Sequence, residues 1–136
     1  MRQVTVPANM LKKALPVLLL ALIMTGCTTP FTPTNLTARQ QERNANNLYP
    51  LEVALYTRQQ TLEWGTIQPY VKVGQELYPM RLTSLMTNRW EALVPIPATT
   101  KEITYRYKFD FKYNVFGGPP KPDSRISPEY TLRIFE

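Results

Sequence analysis

The sequence predicts an all-β fold, an antiparallel two-sheet sandwich of about seven strands over residues 46–136. From Leu48 onward apolar and polar residues alternate with a period of two, the pattern of strands with one buried face. Clusters of Gly, Asn, Thr and Pro punctuate these runs at short intervals, and thirteen prolines oppose helices throughout. Strands of this kind, joined by short connections, pair antiparallel and need a second layer to cover their apolar faces.

The elements follow in chain order. Lys12 and Lys13 precede an apolar run, Ala14 to Met24, too short to span a bilayer as a helix but of the length an export leader needs. Either Met1 or Met10 can open that leader. The run ends in Met24-Thr25-Gly26-Cys27, which holds the one cysteine of the chain. This tetrapeptide resembles the lipobox of bacterial lipoproteins, with Met24 in place of the more usual Leu. The resemblance implies cleavage after Gly26, acylation of Cys27, and anchoring to a lipid bilayer through the acylated thiol. With no partner for a disulfide, a free thiol would be exposed to oxidation, and acylation removes that hazard. More than one acyl chain makes such anchoring stable. By the same resemblance Thr28 stands where inner-membrane lipoproteins carry Asp, which implies the outer membrane, with the side it faces left open.

Residues 27–45 read as a lipidated flexible tether. Thr28 to Asn47 is rich in Thr, Asn, Gln and Pro and has too few apolar residues to offset the entropy of ordering. Next come the strands. Leu51, Val53 and Leu55 form one apolar face; Ile67, Val71 and Val73 another, ending at Gly74; Trp90, Ala92, Val94 and Ile96 a third, closed by Pro95 and Pro97. The clearest face is Ile103, Tyr105, Tyr107, Phe109, Phe111, Tyr113 and Val115, set against Glu102, Thr104, Arg106, Lys108, Asp110, Lys112 and Asn114. A strand of that length would approach about 43 Å, so a bend, a bulge or an overhanging end is expected. Gly117 to Asp123 reads as a turn, and Tyr130, Leu132 and Ile134 mark a final strand.

The pair Asn88 to Pro97 and Ile103 to Phe109 resembles the strand pair of immunoglobulin-like (E-set-type) sandwich domains that flank starch- and glycogen-acting enzymes. It is also similar to immunoglobulin-like domains of bacterial surface proteins. The resemblance implies an immunoglobulin-like antiparallel β-sandwich and says nothing of ligand.

Composition narrows the chemistry. The chain has 136 residues and a formal charge of +6; loss of Arg2, Lys12 and Lys13 with the leader leaves 13 basic and 10 acidic residues, a charge of +3. The bases are scattered, which gives no groove-sized basic face and no nucleic-acid reading. With no histidine and one cysteine, the usual zinc, copper and haem sites are excluded, as are Ser-His and Cys-His nucleophiles, and no cofactor is expected. Asp123 and Glu129 are too few oxygens for calcium.

Sugar binding needs exposed aromatic platforms, for which Trp64, Tyr70 and Tyr78 are the candidates. Trp90 is in phase with Ala92 and Val94 and reads as core. Glu63, Glu91 and Asp110 are the carboxylates placed for glycosidase-type chemistry, but none sits in a motif and Asp110 faces outward between Lys108 and Lys112. The expectation is a non-catalytic envelope lipoprotein that binds a protein partner or an envelope glycan. A carbohydrate-binding module and a small hydrolase are the competing readings.

Overall fold

The computed structural model describes residues 30–136. The leader, 1–26, and the lipidation site Cys27 lie outside the described residues. Ten strand segments make two sheets, the coarse architecture expected. The first sheet runs in the order β1 (Phe31–Asn35), β3 (Leu48–Thr57), β7 (Arg89–Pro95), β6 (Arg81–Leu82). The second runs β2 (Gln40–Glu42), β10 (Tyr130–Phe135), β8 (Glu102–Tyr113), β4 (Gln68–Val73), β5 (Glu76–Pro79), with β9 (Lys121–Ile126) also on β8. All pairings are antiparallel except that of β2 with β10.

The segment count exceeds seven because three chain passes are broken, each for a local reason. Between β5 and β6 the chain changes sheets at Met80. Its N–H donates to the Pro69 carbonyl at 3.0 Å, but Pro69 has no N–H to return, so the β4–β5 ladder stops there. Between β9 and β10 the register against β8 slips by one residue, from Lys108 opposite Ile126 to Tyr105 opposite Tyr130. The slip is a β-bulge at Ser127. The buried Ser127 hydroxyl accepts the Tyr107 N–H at 2.8 Å, the bond a regular ladder would have given to a carbonyl, and donates to the Pro128 carbonyl. The expected irregularity of the long strand thus falls on its partner, while β8 itself spans twelve residues.

The third break lies between β1 and β2 and corrects the reading of residues 27–45 as a flexible tether. Phe31–Asn35 pairs with Val53–Thr57 of β3, and Gln40–Glu42 with Arg133–Phe135 of β10, so the folded domain begins near Phe31 rather than at residue 46. Phe31 stacks on Phe111, with centroids 5.0 Å apart, and meets Phe109 edge-on at 5.6 Å. At the crossover the ties are polar. Asn35 Nδ2 donates to the Tyr105 hydroxyl at 3.0 Å, and Thr37 Oγ1 lies 2.8 Å from the Tyr107 hydroxyl. That hydroxyl also lies 2.8 Å from Asn35 Oδ1 and 2.8 Å from the Glu52 carbonyl, and its single proton serves one of them at a time. A tether reading weighs apolar content, and apart from Phe31 this segment is held by backbone pairing and by two polar side chains reaching buried phenols.

The core fills the space between the sheets. Tyr49, Leu51, Val53, Leu55, Trp90 and Val94 face inward from the first sheet; Tyr105, Tyr107, Phe109, Phe111, Val71 and Leu132 face them from the second. Trp90 is buried, as its phase predicts, and meets Phe109 edge-on at 6.0 Å.

Two buried tyrosines give opposite expectations for the same substitution. The Tyr107 hydroxyl is in the network above, whereas the Tyr49 hydroxyl has no hydrogen-bond partner among the described residues. Tyr107→Phe should cost about 1–3 kcal/mol in equilibrium denaturation. Tyr49→Phe should leave stability within about 0.5 kcal/mol or raise it, because it removes an unpaired buried hydroxyl. Burial, above all, pushes the Tyr107 phenol well above its ordinary value, the Thr37 hydrogen bond opposing this only in part. Its contribution to stability is therefore complete below about pH 10, where the unfolded phenol begins to ionise, and declines at higher pH. Tyr107→Phe should flatten that alkaline decline.

At the end of the first sheet where β3 starts and β7 finishes, only these two strands remain paired. Odd residues of β3 bond to β7, as in Leu55 N–H to the Asn88 carbonyl at 2.9 Å; even residues face away, as in Glu52 N–H to Thr37 Oγ1 at 2.8 Å. Pro50 is even, so its missing N–H lies on the open side, and the Gln41 side chain covers its carbonyl at 2.9 Å. On β7 the odd residues face away from β3, as the Arg89 carbonyl does in accepting Thr83 N–H, and Pro95 is odd.

Candidate functional site

The three candidate aromatics do not share a platform. Trp64 opens a short 3-10 turn, Trp64–Thr66, between β3 and β4. The turn is pinned to β8 by Glu63 N–H donating to the Lys112 carbonyl at 3.0 Å and Lys112 N–H donating to Thr66 Oγ1 at 2.9 Å. Trp64 is 43% exposed, in keeping with its place outside any alternation. Tyr70 faces outward on the second sheet, where the Lys108 ammonium lies 5.6 Å from its ring centroid. Tyr78 stands opposite the fully buried Val71 and packs against the core from the edge strand β5. Tyr70 and Tyr78 thus lie on opposite faces of one sheet, with Trp64 apart from both, beyond the start of β4.

The candidate carboxylates are likewise dispersed. Glu91 faces outward on the first sheet and pairs with Arg81 at 3.1 Å, next to the Glu52–Arg89 pair. Asp110 faces outward on the second sheet, bonded to Lys108, so the whole sandwich separates it from Glu91. Glu63 is at the loop end. Asp123 pairs with Arg125 at 3.2 Å and Glu129 with Arg106 at 3.4 Å. Among the described residues no group of three or more His, Cys, Asp or Glu is placed to hold a metal ion.

The Lys108 hydrogen bond is the largest influence on Asp110 and holds its carboxyl below the ordinary value, against a smaller opposing effect of burial. The stability this contributes is present above the unfolded pKa, near pH 4, and is lost as pH falls through the lower folded value. Asp110→Asn should therefore reduce the slope of unfolding free energy against pH below about pH 4. The effect is small because the side chain is partly solvated.

One largely apolar concavity is one the sequence reading did not single out. On the outward face of the first sheet Pro50 stands opposite Leu93, and Leu48 opposite Pro95. Pro50 and Leu93 join Pro79, Met80 and the Arg81–Glu91 pair around an open groove of about 480 Å³. The signal was present in the alternation: Leu93 occupies the polar phase of β7, between Glu91 and Pro95, and is exposed. A second concavity of about 560 Å³ on the other sheet is polar, and Arg133 and Glu102 within it are paired at 2.8 Å. No helix among the described residues is long and apolar enough to cross a membrane.

No protein-family model, curated protein or solved structure matches the chain.

Proposed function

We propose that the protein is a lipid-anchored, non-catalytic binding or assembly component of a bacterial envelope, held at the outer membrane through acylated Cys27. The observation that carries the binding role is the groove at Pro50 and Leu93, since a contiguous apolar concavity bordered by the Arg81–Glu91 ion pair is an interaction feature. The Met24-Thr25-Gly26-Cys27 lipobox supports the anchor. Dispersal of Glu63, Glu91 and Asp110, two of them ion-paired, supports a role without turnover.

The domain reads further as immunoglobulin-like. Counting β1 with β2, β5 with β6, and β9 with β10 as single passes gives seven. An edge pass shared between both sheets, with its second half parallel to the last strand, is consistent with that plan.

Two measurements test the reading. Mass spectrometry of material from the native host should find a mature chain starting at an acylated Cys27; an intact leader would refute the anchor. A photo-crosslinker at Leu93 should capture one defined envelope component, and one at Thr104, on the outward face of the other sheet, should not. Equal or absent capture at both positions would remove the groove from the proposal.

Exposure of Trp64 keeps carbohydrate binding as a second reading. It requires glycan-dependent quenching of indole fluorescence that disappears in Trp64→Ala. An unchanged spectrum across glucans and peptidoglycan fragments would dismiss it.

A further inference from the structure

The two ends of the sandwich differ in a way that the core does not require. At the end where β1 begins lie the loops 58–67, 83–88 and 114–120. Phe31 opposite Thr57, Leu55 bonded to Asn88, Leu62 bridged to Tyr113, and Phe31 packed on Phe111 place them together. These loops carry Trp64, Leu85, Met86 and Phe116, all exposed; Leu85 at 104% and Phe116 at 109% are the two most exposed large apolar residues described. Leu85 also holds a left-handed backbone, φ 63°, which is uncommon outside Gly and Asn. At the opposite end the loops 43–47, 74–75 and 97–101 carry no exposed large apolar side chain, and the exposed Leu48, Leu77 and Phe135 there lie on strands and are half as exposed as Leu85 and Phe116 or less.

Basic side chains accompany the apolar ones at the Phe31 end. Arg58, Lys112 and Lys121 are exposed at the Phe31 end and form no ion pair among the described residues. The acids nearby are Glu63, together with Asp110 and Asp123, which are neutralised by Lys108 and Arg125. Chain length then selects what covers this end. Four residue steps separate Cys27 from Phe31, at most about 14 Å of extended chain. A thiol acylated at that point brings this end of the sandwich, and not the other, within reach of headgroups.

We propose that the Phe31 end rests on the bilayer, with Phe116, Leu85 and Met86 entering the boundary between headgroups and acyl chains, Trp64 at the headgroup level, and Arg58, Lys112 and Lys121 meeting anionic lipid. This docking surface rests on Cys27 being acylated. It replaces a domain swinging on a leash with one seated directly on the membrane, leaving the sheet faces lateral and the opposite end outermost.

The test uses the full acylated protein, its acyl mass verified first, in vesicles of phosphatidylethanolamine and phosphatidylglycerol with part of the lipid brominated along the acyl chain. Phe116→Trp and, at the opposite end, Thr99→Trp are compared; both sites are exposed, and matching thermal unfolding confirms an unaltered fold. Brominated lipid should remove roughly half or more of the emission added by Phe116→Trp and leave that added by Thr99→Trp unchanged. Equal quenching, or none, with acylated Cys27 confirmed would overturn the docking while leaving the anchor in place. Absence of acyl mass would overturn the anchor itself. Capture of a protein by a crosslinker at Leu85, with Phe116→Trp unquenched, would assign this end to a protein instead.

Discussion

A chain of residues 46–136 should fail to unfold cooperatively, whereas residues 28–136 should give a single sharp transition in urea or on heating. Removing residues 28–45 strips β1 from β3 and β2 from β10. It uncovers the Phe111 and Phe109 rings that Phe31 packs against, and leaves the Tyr107 hydroxyl without Asn35 and Thr37. Burial of a phenylalanine side chain is worth up to about 1.5–3 kcal/mol. An impaired buried hydroxyl costs about 1–3 more. The exposed N–H row of β3 adds to both, against a total stability of about 5–15 kcal/mol for a domain of this kind. A residue 46–136 fragment with the same midpoint as the longer chain would show that the first two strands contribute nothing.

Phe109→Ala should be the most destabilising single truncation, at about 3–5 kcal/mol. Phe109 is completely buried at the centre of β8, where it touches Phe31 on β1 and Trp90 on β7. It therefore joins the N-terminal strand, the middle of the first sheet and the middle of the second in a single contact set. Phe116→Ala, removing the same ring from a fully exposed loop, should change the denaturation midpoint negligibly. The two variants measured together separate loss of packing from loss of a phenyl group.

What could be read from the sequence follows the distribution of apolar side chains. Central strands were legible, because Tyr105, Tyr107, Phe109 and Phe111 announce one face of β8 and Leu51, Val53 and Leu55 one face of β3. Edge segments were not. β9 reads KPDSRI and buries nothing fully, so Pro122 and Asp123 gave the impression of a turn; β1 and β2 are bound through Asn35, Thr37 and backbone groups, which leave no periodic trace. Trp90 in the core and Trp64 outside it followed from phase alone. Partition of Tyr70 and Tyr78 to opposite faces did not, because it depends on how the β4–β5 hairpin is registered at the two-residue turn Gly74–Gln75. That turn has a positive φ only at its first position, Gly74, as a type II′ turn requires. The groove was hidden because it is assembled from Pro50, Leu93 and Pro79 on three strands.

Pro50 and Pro95 face outward from the two unpartnered sides of the β3–β7 ribbon. A strand offered by a neighbouring molecule would find a donor missing on either side and, at Pro50, a carbonyl already taken by Gln41. Copies packed shoulder to shoulder at high density would therefore not zip into a continuous ribbon at this end. Pro50→Thr together with Pro95→Thr should leave the monomer folded and make it prone to polymerise.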